Sequence, residues 1–163
     1  MIRWKKLLLK FILVELSILY AAFHPIIAIA METQTEIAGT VSQNDIEQYV
    51  HSNVNPNFSY IILNLIWKES RFKIDAQNGN CIGLTQVNPS FHDISDPYNW
   101  QENVSYCTSY IASKTYEYDS PELALMCWNM GEDKAVSSYN NGYISDYARN
   151  IMKYANERRV RDK

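Results

Sequence analysis

Between positions 58 and 70 the apolar residues Phe58, Ile61, Ile62, Leu65 and Ile66 recur at steps of three and four. That is the period of an amphipathic helix with a wide buried stripe. Glu69 falls on the same stripe, seven, four and three residues after Ile62, Leu65 and Ile66, so its carboxylate shares the core-facing side of the predicted helix. Upstream, Ser42 or Asn44 is placed to cap a short helix running to about Val50, and the segment 53 to 57, with Pro56, breaks it. Downstream, residues 73 to 82 are loop by composition, 83 to 87 fit a short extended piece, and 89 to 99 form another irregular connection.

Helical patterning returns over residues 101 to 118, with Val104, Cys107, Ile111 and Thr115 on one face. Ser120-Pro121-Glu122 then gives a cap, a proline at the first helical position and an acid in the first turn, and the helix it starts ends at Gly131. A short helix over about 133 to 139 stops before Gly142, and Ser145 caps a last one reaching about Arg159. There is no internal repeat, no low-complexity tract and no long strand pattern, so the expectation is one mainly helical domain. At 163 residues and 47% hydrophobic, the chain is long enough for one compact core and short for two.

The ends change the picture in one respect each. Residues 1 to 6 are basic, 7 to 30 are largely apolar, and the run closes on Ala28-Ile29-Ala30, the layout of a signal peptide with a small-x-small cleavage site. An uncleaved membrane anchor is the alternative, since the run is about the ~20 residues that span a bilayer, and Glu15 weighs against it. Either way the remainder is expected outside the cytoplasm: periplasm, cell envelope or extracellular space. Residues 31 to 42 read as a linker, and 43 to 160 as the domain. The whole chain carries a formal charge of −3, but residues 31 to 163 hold 11 basic against 17 acidic residues, a net −6. That balance excludes a nucleic-acid partner, which needs a basic face. The basic end, Arg158, Arg159, Arg161 and Lys163, reads as a solvated helix terminus. Cys81, Cys107 and Cys127 show no metal-ligand spacing with His24, His51 or His92, so no metal and no cofactor is expected. In an exported chain, three cysteines suggest one disulfide and one free thiol, the pair unspecified.

The candidate chemistry centres on Glu69. A carboxylate on an apolar stripe at a helix C-terminus should have its pKa raised by desolvation and by the helix dipole. It then serves as a proton donor at neutral pH, which cleavage of a glycosidic bond requires. On spacing alone the competing reading is an ordinary helix-end glutamate paired with Lys68, Arg71 or Lys73. Ser90, His92 and Asp93 lie close together, but no nucleophile elbow accompanies them, and nothing marks Cys81 with His92 as a nucleophile and base.

An ordered constellation decides between these readings. Glu69-Ser70-Arg71-Phe72, then Gly83-Leu84-Thr85-Gln86, Asn103 with Tyr110-Ile111, Ala124-Leu125 with Trp128-Asn129-Met130-Gly131, and Tyr147-Ala148 resemble, in order and spacing, the catalytic domain of soluble lytic transglycosylases. The resemblance covers about residues 45 to 155. It implies an α+β, mainly helical lysozyme-like fold in which a short irregular or β-hairpin segment around residues 80 to 88 forms one wall of a sugar groove. Thr85 stands where the family commonly has Met, Trp128 where Tyr is usual, and Cys81 where a Gly-Ala pair often precedes the glycine.

Carried over residue by residue, the resemblance implies that Glu69 is the single acid/base, protonating the oxygen between N-acetylmuramic acid and N-acetylglucosamine. It would then take a proton from the C6 hydroxyl as that oxygen attacks C1, giving a 1,6-anhydro end without water. The substrate's acetamido group would replace a second carboxylate, and Asp75, the nearest acid, carries no other signal. Ser70 and Gln86 would position sugar hydroxyls and the acetamido group, Asn129 would hold the groove and Tyr147 would reach toward Glu69. Peptidoglycan glycan strands are the implied partner. A muramidase on the same fold and a non-catalytic wall-binding module are the alternatives. The sequence does not choose between wall remodelling, a secretion or conjugation apparatus, and phage entry.

Overall fold

The computed structural model describes residues 41–162. The expected leader, and all but the last two positions of the expected linker, lie outside the described residues.

Six helices and one small hairpin make up the domain. Helix α1, Gln43–Asn53, is capped by Ser42 in a reciprocal box with Asp45, whose carboxylate accepts the Ser42 backbone N–H at 2.9 Å. This satisfies donors that a helix start otherwise leaves open. Helix α2, Pro56–Ser70, begins with Asn55 as cap and proline at the first helical position, two residues earlier than the apolar pattern alone marks. Hairpin strands β1, Gln77–Asn78, and β2, Cys81–Ile82, pair antiparallel, and Ile82 adds a bridge to Val87. Helices α3, Trp100–Tyr118, α4, Pro121–Met130, α5, Glu132–Asn140, and α6, Asp146–Arg161, complete the order. Ser120 and Ser145 each accept a backbone N–H at the starts of α4 and α6, at 3.1 and 3.3 Å.

The predicted extended piece over 83 to 87 is displaced. The paired strands lie at 77–78 and 81–82, and residues 83 to 86 turn before the single bridge at Val87. Gly83 is the reason. Its φ is +75°, and a Cβ there would come within 2.5 Å of the Asn103 side chain, so the chain turns closely against α3 where only glycine fits.

Two helices organise the core. Along α2, Phe58, Ile61, Ile62, Leu63, Leu65 and Ile66 are buried, and the helix packs against α1, α3 and α6. Burying each such side chain contributes about 1.5–3 kcal/mol. Helix α4 is buried continuously from Leu123 to Trp128 and is enclosed by α3, α5 and α6, as a helix apolar on all sides must be. The two C-terminal ends of these helices carry the expected site residues Glu69 and Asn129. The basic terminus is more engaged than a solvated end: Arg158 pairs with Glu47 at 2.6 Å, tying α6 to α1, and Arg159 donates to the Asn57 carbonyl.

All three cysteines are free thiols, so the expected disulfide is not formed. They sit on separate elements, Cys81 half-buried on β2, Cys107 fully buried in α3 and Cys127 buried in α4. Among the described residues no helix is long and apolar enough to cross a membrane.

Candidate active site

Glu69 sits in the last turn of α2, half-buried, on the wall of a cavity of about 690 Å³. The helix ends one residue later, at Ser70, because Arg71 and Phe72 both adopt left-handed backbone, at φ 56° and 62°. Neither is a glycine, so each such residue is strained by roughly 1 kcal/mol or more. The reversal sends the chain directly into the loop that forms the opposite wall.

Glu69 has no ion pair among the described residues. Arg71 instead lies over the Trp67 ring, 4.2 Å from its centroid. The reading of Glu69 as an ordinary paired helix-end glutamate therefore falls. Its hydrogen-bond partner is Tyr147 at the start of α6, whose hydroxyl donates to Oε1 at 2.5 Å across 78 positions of sequence. Burial raises the Glu69 pKa above the ordinary carboxylate value, while the Tyr147 hydrogen bond and then the Lys68 charge oppose the shift. Tyr147 is itself held well above the ordinary phenol value, by burial and then by the neighbouring Glu69 charge, so it remains a donor. Burial, and next the charge of Glu69, also raises the Cys107 pKa and keeps this fully buried thiol protonated and inert.

Tyr147→Phe removes the one hydroxyl that steadies the Glu69 carboxylate. With that opposing contribution gone, the Glu69 pKa rises further, and the alkaline limb of any activity that needs the protonated acid moves to higher pH. Turnover is expected to fall about tenfold through loss of orientation. A pH–rate profile with its alkaline limb unmoved or shifted to lower pH would count against the hydrogen bond.

The opposite wall is built by one buried carboxamide. Asn103, fully buried on α3, donates through Nδ2 to the carbonyls of Ile82 and Pro97, each at 3.0 Å, and accepts from Thr85 N–H at 2.9 Å and Thr85 Oγ1 at 2.8 Å. Trp128 Nε1 donates to the Thr85 carbonyl at 3.3 Å. Thr85 and Trp128, two of the three departures from the family pattern, thus meet in one hydrogen bond. Gln86 follows in left-handed backbone, φ 52°, and its amide Nε2 donates to the Ala76 and Gly83 carbonyls at 3.1 and 2.9 Å. Its hydrogens are used by the loop, leaving Oε1 as an acceptor on the cavity wall.

The remaining expected residues divide. Asn129, exposed at the end of α4, lines the cavity with Glu69 and Gln86. Ser70 is 5% exposed, is not among the lining residues, and its hydroxyl donates to the Ile66 carbonyl at 3.1 Å. That local bond is common for a serine in a helix and leaves Ser70 only acceptor capacity.

Two further groups line the cavity in roles that the sequence did not assign them. His92 stacks on Trp128, with centroids 4.8 Å apart and planes at 27°, and meets the edges of Tyr106 and Tyr110. Burial lowers its pKa, keeping the ring neutral. Glu132, the first residue of α5, also lines the cavity, but its Oε1 accepts from Lys114 at 2.6 Å and from the Tyr118 hydroxyl. Lys114 first, then Tyr118, hold its pKa below the ordinary value. Its charge is thereby committed to Lys114 and Tyr118. An acid directly after Gly131 was legible only as a favourable helix start. The geometry thus offers one carboxylate without an ion pair among the described residues, its pKa raised by burial, on a wall of amides and aromatic rings.

Comparison with curated proteins and with solved structures returns no match. The family profile of the transglycosylase SLT domain matches residues 48–158, most of the chain and nearly the whole described domain. The chain therefore belongs to the transglycosylase SLT domain family, and with that membership comes, at the level of the family, a lytic-transglycosylase-type action on peptidoglycan.

Proposed function

We propose that this chain is an exported peptidoglycan lytic transglycosylase with Glu69 as its single acid and base. The observation that carries this reading is the state of Glu69: half-buried on the cavity wall, free of ion pairs among the described residues, and raised in pKa by burial. As the bond between the N-acetylmuramic acid C1 and the bridging oxygen breaks, Glu69 gives its proton to that oxygen. The carboxylate then takes the proton of the C6 hydroxyl as O6 bonds to C1. The proton inventory of the enzyme is unchanged and no water enters.

Support for a single carboxylate comes from Glu132, whose pairing with Lys114 leaves it unsuited to activate water. Gln86 Oε1 and Asn129 are the polar groups we assign to the acetamido and hydroxyl groups of the bound sugars; Ser70, buried behind the wall, is left out of that assignment. We assign an envelope or extracellular location on the pattern of residues 1 to 30 alone. Mass spectrometry of the products from purified peptidoglycan tests the reaction. A 1,6-anhydro disaccharide is expected; a product heavier by one water would make the enzyme a muramidase, and binding without cleavage would make it a wall-binding module.

A further inference from the structure

The turn over residues 88 to 92 has no role in the chemistry above, yet it is closely built. The Asn88 carbonyl accepts the N–H of both Phe91 and His92, at 3.0 and 3.1 Å, and the Asn88 side chain accepts the Ser90 N–H at 3.0 Å. Two neighbouring aromatic side chains are thereby given different exposures. His92 is half-buried on Trp128, its Nδ1 3.4 Å from the Tyr106 hydroxyl, while Phe91 is 82% exposed. Both line the same cavity as Glu69. A phenyl ring held in water by a tight turn forgoes the gain of burial unless something covers it. His92 Nε2 has no hydrogen-bond partner among the described residues, so a polar atom is available beside that apolar ring.

We propose that this turn carries an additional sugar subsite of the groove, with Phe91 as the stacking face for one pyranose ring and His92 as its polar contact. The inference rests on the groove being a glycan site. A pyranose ring offers both complements: an apolar face of C–H groups that packs on an aromatic ring, and hydroxyl or acetamido groups at its edge that pair with a ring nitrogen. The occupant follows from continuity, since the turn lines the same cavity as Glu69. A longer strand threaded past the carboxylate meets Phe91 next to the His92–Trp128 stack.

The test uses the full-length Glu69→Gln protein, which binds without turnover, and oligomers of N-acetylglucosamine three and six units long. Adding Phe91→Ala is expected to raise the Kd for the hexamer about tenfold and to leave the trimer within about twofold, because only the longer ligand gains from an extra subsite. Phe91→Tyr, which keeps a ring, is expected to retain hexamer affinity. His92→Phe, which keeps the stack on Trp128 and removes the nitrogen, is expected to weaken the hexamer about threefold. Equal losses for both lengths, or none for either, overturn the subsite, and an unchanged hexamer affinity in His92→Phe removes the polar contact. Binding of neither oligomer before any change at Phe91 overturns the glycan-groove reading itself, and the subsite with it.

Discussion

Glu69→Gln is expected to lower the release of soluble fragments from purified peptidoglycan by about 10³-fold, the loss associated with removing a positioned general acid. The substitution is close to isosteric, and the new amide oxygen can still accept the Tyr147 hydroxyl, so the groove should keep its shape. The same variant has a stability signature of opposite sign. Burial raises the Glu69 pKa in the folded state, so the ionised carboxylate costs stability as pH rises through that pKa, because the unfolded chain releases the proton more readily. Glu69→Gln should therefore be more stable than wild type at neutral pH, with the difference closing at acid pH as Glu69 takes up its proton. Lysis at the wild-type rate would remove Glu69 from the mechanism. Thermal unfolding across pH would show whether the variant is folded when activity is read.

Asn103→Ala is expected to produce the largest loss of stability among the site substitutions. The carboxamide makes four hydrogen bonds of 2.8 to 3.0 Å to Ile82, Pro97 and Thr85, and it is fully buried. Truncation leaves the Thr85 N–H and two backbone carbonyls without that partner in the interior, each costing roughly 1–3 kcal/mol. Because the Ile82 carbonyl keeps the Val87 N–H at 3.1 Å, the total lies in the lower part of the summed range, about 3–5 kcal/mol, a large part of the 5–15 kcal/mol that holds a typical domain together. For a domain of this size it should lower Tm by roughly 10–20 °C. The same loop bears Gln86, so cleavage by the surviving folded fraction should fall as well. A Tm within about 3 °C of wild type would mean that the turn at Gly83 is held by its backbone alone.

Much of this organisation could be read before any coordinates. The stripe on α2, the caps at Ser42, Ser120 and Ser145, and the stop at Gly131 are local signals, set by side chains within four residues of the backbone groups they satisfy. Helix termini still moved by one to three residues, as for α1, which runs to Asn53 rather than Val50. The extended piece expected over 83 to 87 is displaced for a physical reason: strands of two residues are too short to show alternation, and the turn pair Gly79-Asn80 lacks the flanking apolar pattern that makes such a pair a clear turn. What could not be read from local pattern were contacts between distant positions. Tyr147 meets Glu69, Trp128 meets Thr85 and His92, and Glu132 meets Lys114 only after the helices pack. The resemblance to the transglycosylases pointed to Tyr147. Nothing pointed to His92, because an isolated histidine in an irregular connection has no periodicity from which to infer a stack.

Gln86 is fixed twice over, by its left-handed backbone and by two hydrogen bonds from its amide to carbonyls of the same loop. A wall constrained in this way has little freedom left to surrender when a glycan arrives. Ordering costs on the protein side should then be small, and the unfavourable entropy of binding should come mainly from the sugar strand. Stiffer strands, such as those already cross-linked in a wall, would then be held more firmly than free oligosaccharides making the same contacts.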